Sequence, residues 1–561
     1  MGDTRKNPHG GVLVNQVVSP DKRDEAIARA RTLPSIRVDL EAVITIEMIT
    51  TGVLSPNTGF MNQADYNSVL KNGRLANGTV WPVPLSFAPV GNRNSEIIRG
   101  LSVGDEVALT DYRNEPVAIL KIEDLFDYDK NGRAQQLFGT TDRSHPGVDS
   151  IFRRMGDTSI GGPVTLLQRA DWGPFEKIRR EPKDTWRLFY EEKNFKSVAG
   201  FITGANPLHR GHEYIHKNAL EEVDGLFVQP LVEMAKREYV RHEYRMLAYR
   251  SVLETYYPTE RTVMSPLRVT YIFAGPREAI LHALIMKNYG CTHALIGRDH
   301  AGIGSFYDKY ASHSIFDQYP AEELGIDIRL FHEVFYCTRC ASHASEQTCP
   351  HDERYRLNIS GTSIREMLRH GILPAKEVVR PEAARIAIQG VQPKGLDETG
   401  EGTLPVSKVV HGMYPYYRAY TRLGGPLRPG ALEAEELTVR DLESASLDVR
   451  ANAHRIYGDI HREYSSLADH NHGLQESWVI EARKTLKNHQ EMVLSDLQEK
   501  VALAPEEASD EFMYQDRTEA ERELTAAKQL LDAVPAVPDG NSLSERVWNP
   551  LPYRRYRGQD D

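Results

Sequence analysis

Two histidines three residues apart, His209 and His212, sit in the run Thr203-Gly-Ala-Asn-Pro-Leu-His-Arg-Gly-His212. A helical stretch, His212–Glu222, begins beside them, and the apolar run Val198–Ile202 precedes them. Imidazoles at i and i+3 on a helix amino terminus aim two donors where backbone N–H groups and the helix dipole already attract anions. That is a phosphate-binding arrangement. A second segment, Gly297-Arg-Asp-His-Ala-Gly302, follows the apolar run His293–Ile296. Its glycines allow close backbone approach to a nucleotide, and Arg298 brings a planar, permanent charge suited to phosphate oxygens. A third, Ile359-Ser-Gly-Thr-Ser-Ile-Arg365, opens a helix with hydroxyl caps and sets Arg365 in its first turn, a second phosphate clamp.

The remaining chemistry is in cysteines. Three of the four, Cys337, Cys340 and Cys349, lie within thirteen residues, and His351 follows, giving Cys-x2-Cys-x8-Cys-Pro-His. Thiolates at this spacing with one imidazole satisfy tetrahedral zinc, so a structural Zn2+ site is expected, with His351 as fourth ligand and His343 as its rival.

These segments need elements to present them. Apolar runs (Val198–Ile202, Gly225–Val232, His293–Ile296) alternate with helical stretches (His212–Glu222, His242–Tyr256, Pro276–Asn288), the pattern of a parallel α/β sheet. Ligands of such sheets bind beyond the carboxyl ends of the strands, where the His and Gly-Arg-Asp segments fall. Ahead of this core, short β-rich runs at Val80–Phe87, Glu106–Leu109 and Pro116–Ile122 with Gly/Asn/Pro punctuation predict a mainly β domain with a few helices. The expected division is 1–175 β-rich, 176–335 catalytic α/β, 336–390 zinc knuckle and helical subdomain, 391–430 linker, 431–534 all-α extension and 535–561 polar tail.

Composition narrows the function class. The 561 residues carry 68 Lys+Arg against 79 Asp+Glu, a net charge of −11, with 40% hydrophobic and 26% charged residues. Such a chain folds, does not embed in a membrane, and does not suit a nucleic-acid coat protein. The amino terminus has no apolar signal, and Lys6 stands where myristoylation at Gly2 wants Ser or Thr, so a cytoplasmic protein is expected.

Taken together with Leu54-Ser-Pro-Asn-Thr-Gly-Phe-Met61, Arg74-Leu-Ala-Asn-Gly78, Ala274-Gly-Pro-Arg-Glu-Ala279 and Lys287-Asn-Tyr-Gly290, these segments make residues 35–390 resemble the ATP sulfurylase (sulfate adenylyltransferase) family. The resemblance implies an HxGH-type, Rossmann-like nucleotidylyltransferase core behind a PUA-like domain. It also implies in-line attack of sulfate on the α-phosphorus of ATP, with Mg2+ on the phosphates. Carried over by position, His209 and His212 hold phosphates, and Asn206 and Arg298 serve the α-phosphate. Pro207, Leu208, Gly211, Gly297, Asp299, His300, Gly302, Ser360, Gly361, Thr362 and Arg365 surround the ATP. Thr203, Ala205, Ala301, Glu233 and Lys236 line the acceptor pocket.

The pattern departs from the family at the acceptor. The family's Gln-Thr-Arg-Asn is Thr203-Gly-Ala-Asn206 here, so the gripping Gln and Arg are Thr203 and Ala205, and the Gly of Leu-Val-Gly is Glu233. Losing a charge-assisted pair costs on the order of 1.5–3 kcal/mol per hydrogen bond. Three readings follow: a sulfurylase with a rebuilt sulfate pocket, an adenylyltransferase for another acceptor, or a non-catalytic nucleotide-binding relative working through its carboxyl-terminal helices. Those helices lack a Gly-x4-Gly-Lys-Ser/Thr loop, which excludes a fused kinase. A homo-oligomer is expected, with a partner protein as the sharper reading of residues 431–534. Lys408–Arg428, Tyr-rich and basic, is read as packing rather than nucleic-acid binding.

Overall fold

The computed structural model describes residues 7–111, 114–170, 172–232, 240, 242–269, 272–298, 300–302, 306–359 and 374–390, with isolated positions 361, 364, 368, 498 and 521. The linker, helical extension and tail expected from the sequence lie outside the described residues apart from positions 498 and 521, as does Lys408–Arg428.

The amino-terminal domain is built on a sheet of β1 (Ser35–Arg37), β2 (Gly59–Phe60), β3 (Glu106–Thr110), β4 (Pro116–Lys121), β5 (Asp124–Asp127) and β6 (Thr158–Leu166). Its order is β1-β3-β4-β6-β2, with β5 also on β6; only the β1–β3 pair is parallel. Two expectations are corrected. The run Val80–Phe87 forms no named strand, because Pro82 and Pro84 remove alternate N–H donors; Val80 is bridged to Arg74 alone. The domain also carries more helix than its sequence suggests. In α1 (Leu40–Thr50) the β-branched Val43, Ile44, Ile46 and Ile49 favour a strand locally, yet they turn into the core. Asp39 starts that helix by accepting from Ala42 N–H at 2.7 Å.

The second sheet is wholly parallel: β7 (Val198–Thr203), β8 (Gly225–Pro230), β9 (Thr262–Met264), β10 (His293–Ile296) and β11 (Asp327–Leu330), in the order β11-β10-β7-β8-β9. All residues of β7 and β8 are buried, as strands covered on both faces require. From β7 the chain steps outward to β8 and β9, then returns to the other side of β7 for β10 and β11. In parallel sheets such a reversal marks the end at which ligands bind, here the carboxyl ends of β7 and β10. The helices of this domain include α2 (Arg210–Leu220), α3 (His242–Tyr256) and α4 (Pro276–Asn288).

Helix α4 joins the two domains. From Glu278 to Asn288 every residue is buried. Arg277 donates to the carbonyls of Val69, Leu70 and Pro82, and Asn288 donates to those of Val53 and Ser55 at 2.9 and 3.0 Å. The Leu54–Met61 and Lys287–Gly290 motifs therefore meet across the domain boundary, through Ser55 and Asn288. A third, antiparallel sheet, β12 (Val334–Cys337), β13 (Ser342–Ser345) and β14 (Arg356–Asn358), carries the cysteine cluster. Beyond it α5 (Pro381–Gly390) returns to α3, with Tyr256 Oη donating to Glu382 at 3.1 Å.

Candidate functional site

His209 is the cap of α2 and His212 lies in its first turn, so both imidazoles stand at the helix amino terminus, directly after β7. The rings stack at 3.7 Å between centroids. His212 Nδ1 faces the backbone N–H of His209 at 3.5 Å, and His209 Nδ1 is buried with no hydrogen-bond partner. A Cβ at Gly211 would come within 3.2 Å of the His209 ring, so glycine leaves that ring its place. Burial, and then the neighbouring imidazole, holds His209 well below its ordinary range; His212 is lowered to about 3 by burial and then by His216. Both rings are neutral at pH 7, so they act through N–H donation and leave the charge to the helix dipole and nearby cations.

The turn after β10 sits on the neighbouring strand and is fastened on several sides. Gly297 O faces His313 Nε2 at 3.2 Å, Ser312 Oγ donates to His300 O at 2.8 Å, and Gly275 N–H donates to Ala301 O at 3.2 Å. Ala301 adopts φ 57°, a left-handed conformation costing an L-residue roughly 1–2 kcal/mol, which the fastening sustains. Nothing lies within 4 Å of a Cβ built on Gly297, so the backbone there is open to approach. Arg298 is 41% exposed and reaches Glu333 at 3.3 Å, and Glu333 also binds Lys309 at 2.6 Å. This exposed pair is weak enough for a bound phosphate to displace.

The loop in the acceptor position is braced from behind. Thr203 is buried and its hydroxyl accepts from Ala205 N–H at 3.1 Å. The guanidinium of Arg245, fully buried on α3, donates to the carbonyls of Ala205 (3.0 Å), Leu231 (2.7 Å) and Thr203 (3.3 Å), while Tyr249 Oη donates to Ala205 O at 2.9 Å. Sequence reasoning passed over Arg245, because nothing local distinguishes it from any other arginine of a mixed polar and apolar helix. Pro207 and Leu208 turn into the core, so only their backbone is available to a ligand. Asn206 Nδ2 lies 3.5 Å from Val240 O. His300 and Gly302 belong to the turn, and Gly361 is exposed. Asp299, Glu233, Lys236, Ser360, Thr362 and Arg365 lie outside the described residues.

Gln229, next to last in β8 and opposite Ile202, was also missed, although a carboxamide near the end of an apolar strand is a legible signal. Its Oε1 and Nε2 are both buried without a hydrogen-bond partner. An unsatisfied buried group costs about 1–3 kcal/mol, and such groups persist where a ligand or water uses them. Gln229→Leu is expected to raise the melting temperature of the ligand-free protein while shrinking the further rise that ATP produces; a lowered melting temperature with an unchanged ATP shift would contradict this.

The cysteine cluster forms as expected. The donor atoms of Cys337, Cys340, Cys349 and His351 all lie within 4.8 Å of one another. Bonds of about 2.3 Å to sulfur and 2.0–2.1 Å to nitrogen in a tetrahedron place S···S near ~3.8 Å and S···N near ~3.6 Å. Observed are 3.8 Å for Cys340–Cys349, and 3.4, 3.2 and 3.6 Å from His351 Nδ1 to Cys337, Cys340 and Cys349. The donor set fits zinc. The rival, His343, faces Glu377 O at 2.7 Å.

Comparison with known proteins gives matches over the described fold. The ATP-sulfurylase family matches residues 176–389, and the PUA-like domain matches residues 6–169. A sulfate adenylyltransferase of Symbiobacterium thermophilum is 44% identical over 389 residues, covering 69% of this chain and 97% of that protein. One from Synechococcus sp. (strain JA-3-3Ab) is 43% identical over 391 residues, covering 70% and 98%. A solved structure described as a hexameric APS kinase from Thiobacillus denitrificans matches with a TM-score of 0.53 at 23% identity over 68% of each chain, a likeness of fold.

Proposed function

The chain belongs to the ATP-sulfurylase family, and on that premise we propose that it is a sulfate adenylyltransferase, converting ATP and sulfate to adenosine 5′-phosphosulfate and pyrophosphate. The observation that carries this is that the His209/His212 helix terminus and the Gly297–Gly302 turn follow adjacent parallel strands, β7 and β10, at the reversal of strand order.

In the reaction a sulfate oxygen forms a bond to the α-phosphorus as the bond from that phosphorus to the β-bridging oxygen breaks, and pyrophosphate leaves. No enzyme nucleophile is required, so catalysis rests on positioning and on stabilising charge that builds on the transferring group. Neutral His209 and His212 donate N–H groups to the phosphates over the positive end of α2, and Arg298 moves from Glu333 to the α-phosphate. Sulfate sits against the Thr203–Ala205 loop and the backbone at Ala301, with Arg245 holding the loop's carbonyls in place. Magnesium, when bound with ATP, neutralises part of the phosphate charge. Cys337, Cys340, Cys349 and His351 hold a zinc ion whose closed set of four protein ligands leaves it structural. We place the enzyme in the cytoplasm, where ATP is available and the zinc thiolates stay reduced.

The test is pyrophosphate release from ATP and magnesium with and without sulfate. Release that rises many-fold with sulfate is expected. No response to sulfate, with ATP binding intact, sinks the sulfate assignment and favours another acceptor.

A further inference from the structure

Helix α4 is buried on every side, yet it carries two titratable residues one turn apart, Glu278 (fully buried) and His282 (1% exposed). Buried polar groups of this kind are retained where their atoms are engaged. Both oxygens of Glu278 accept backbone N–H groups, Oε1 from Ile272 (3.0 Å) and Oε2 from Ala274 (3.1 Å), so each faces its surroundings as an acceptor. His282 Nε2 lies 3.6 Å from Glu278 Oε1, and His282 Nδ1 lies 2.8 Å from Nε2 of His300 in the turn after β10.

The proton positions follow from these contacts. A lone pair on His282 Nε2 would be repelled by the carboxylate, so that nitrogen carries the proton. Burial, and then His300, holds His282 well below the ordinary imidazole range, so it takes no second proton. Its Nδ1 is therefore an acceptor, and His300 Nε2–H must donate to it. His300, lowered to about 4 by burial and then by His313, is neutral as well. What remains is His300 Nδ1, bare, with no hydrogen-bond partner among the described residues. A bare nitrogen repels phosphate oxygens, which His209, His212 and Arg298 are built to take, and it suits an uncharged donor.

We propose that Glu278 and His282 are positioning residues that hold His300 as its Nε2–H tautomer, so that His300 Nδ1 accepts a hydrogen bond from a neutral donor of the bound nucleoside, the adenine amine or a ribose hydroxyl. The inference rests on the nucleotide site proposed above. It extends that site to a relay running from the domain boundary to the turn after β10.

Calorimetric titration of the full chain tests it, with ATP, purine riboside triphosphate (no 6-amine), and 2′-deoxy and 3′-deoxy ATP as probes. For the wild type, one analogue is expected to bind roughly tenfold or more weakly than ATP, and its identity names the donor. His282→Leu removes the acceptor facing His300, and Glu278→Gln offers His282 an amide donor that reverses the relay; in both, the ratio of that analogue to ATP falls to about twofold or less. His282→Asn, whose Oδ1 stands where Nδ1 stood, retains the wild-type ratio. A purely structural role would weaken all four nucleotides alike. If Glu278→Gln fails to fold, the Leu/Asn pair at 282 decides. Equal ratios in wild type and His282→Leu, or four nucleotides bound equally by the wild type, overturn the inference alone. Loss of ATP binding by the wild type overturns the nucleotide site and this inference together.

Discussion

His209→Ala is expected to lower sulfate-dependent pyrophosphate release by about 10²–10³-fold or more, the scale of deleting one donor preorganised for transition-state charge. The ring is half-buried and its Nδ1 has no protein partner, so little is lost from the ligand-free fold when it is removed. Steady-state kinetics beside a thermal melt separates the two effects: kcat falls while the melting temperature holds within a few degrees. Retained turnover would remove His209 from the phosphate site. The same histidines set an acid limit on the fold. His212 and His216 are held at about 3, mainly by burial. Unfolded histidines titrate near ~6.5. Below that value the unfolded chain takes up protons that the folded chain refuses. Stability is therefore full above about pH 6.5 and declines toward pH 3, by up to ~1.4 kcal/mol per pH unit for each ring.

Removing zinc is expected to melt the β12–β14 sheet and leave the rest of the protein folded. The apolar core under that sheet consists of Phe335, Cys337, Ala344 and Cys349, with Tyr355 packed against it. Two of these four are themselves donors, so little apolar burial of the sheet's own remains once the metal is gone. Metal binding supplies that folding energy; apparent values for structural zinc in small peptides reach about 10–16 kcal/mol. One zinc per chain by elemental analysis is expected, with loss of amide protection at Phe335 and Ala344 after chelation. Cys340→Ser should reproduce the chelated state. A reduced protein that carries no zinc, or amides that stay protected after chelation, would overturn the assignment. Because Arg210 N–H donates to Val378 O at 2.8 Å and Arg380 clasps Glu213 of α2 at 2.9–3.2 Å, the segment that follows the zinc sheet supports the helix bearing His212. A partial fall in turnover should accompany the loss of metal.

Much of this protein was legible from local chemistry. His209 and His212 announce an anion site because their spacing, the preceding Asn-Pro and the helix behind them act within ten residues. Cys337, Cys340, Cys349 and His351 do so because metal geometry restricts spacing and residue type. Strands buried on both faces are continuous apolar runs, so β7, β8 and β10 could be placed without coordinates. The run Val80–Phe87 misled, since two prolines outweigh the β-propensity of their neighbours.

Other features depend on partners far apart in the chain. The order β11-β10-β7-β8-β9, which sets the turn bearing Arg298 and His300 after the strand next to the one that leads to His209, follows from a crossover that no local pattern encodes. Arg245 looks like any helical arginine until three carbonyls from β7, its following loop and Leu231 converge on it. Glu278 and His282 look like polar residues in an apolar helix until the turn after β10 brings His300 to 2.8 Å. Sequence by itself determined the residue types, the helix caps and the metal donors, because those interactions span a few residues. Tertiary structure alone decided which charges are buried together and which proton faces the ligand, because electrostatic energy depends on distance and burial rather than on position along the chain.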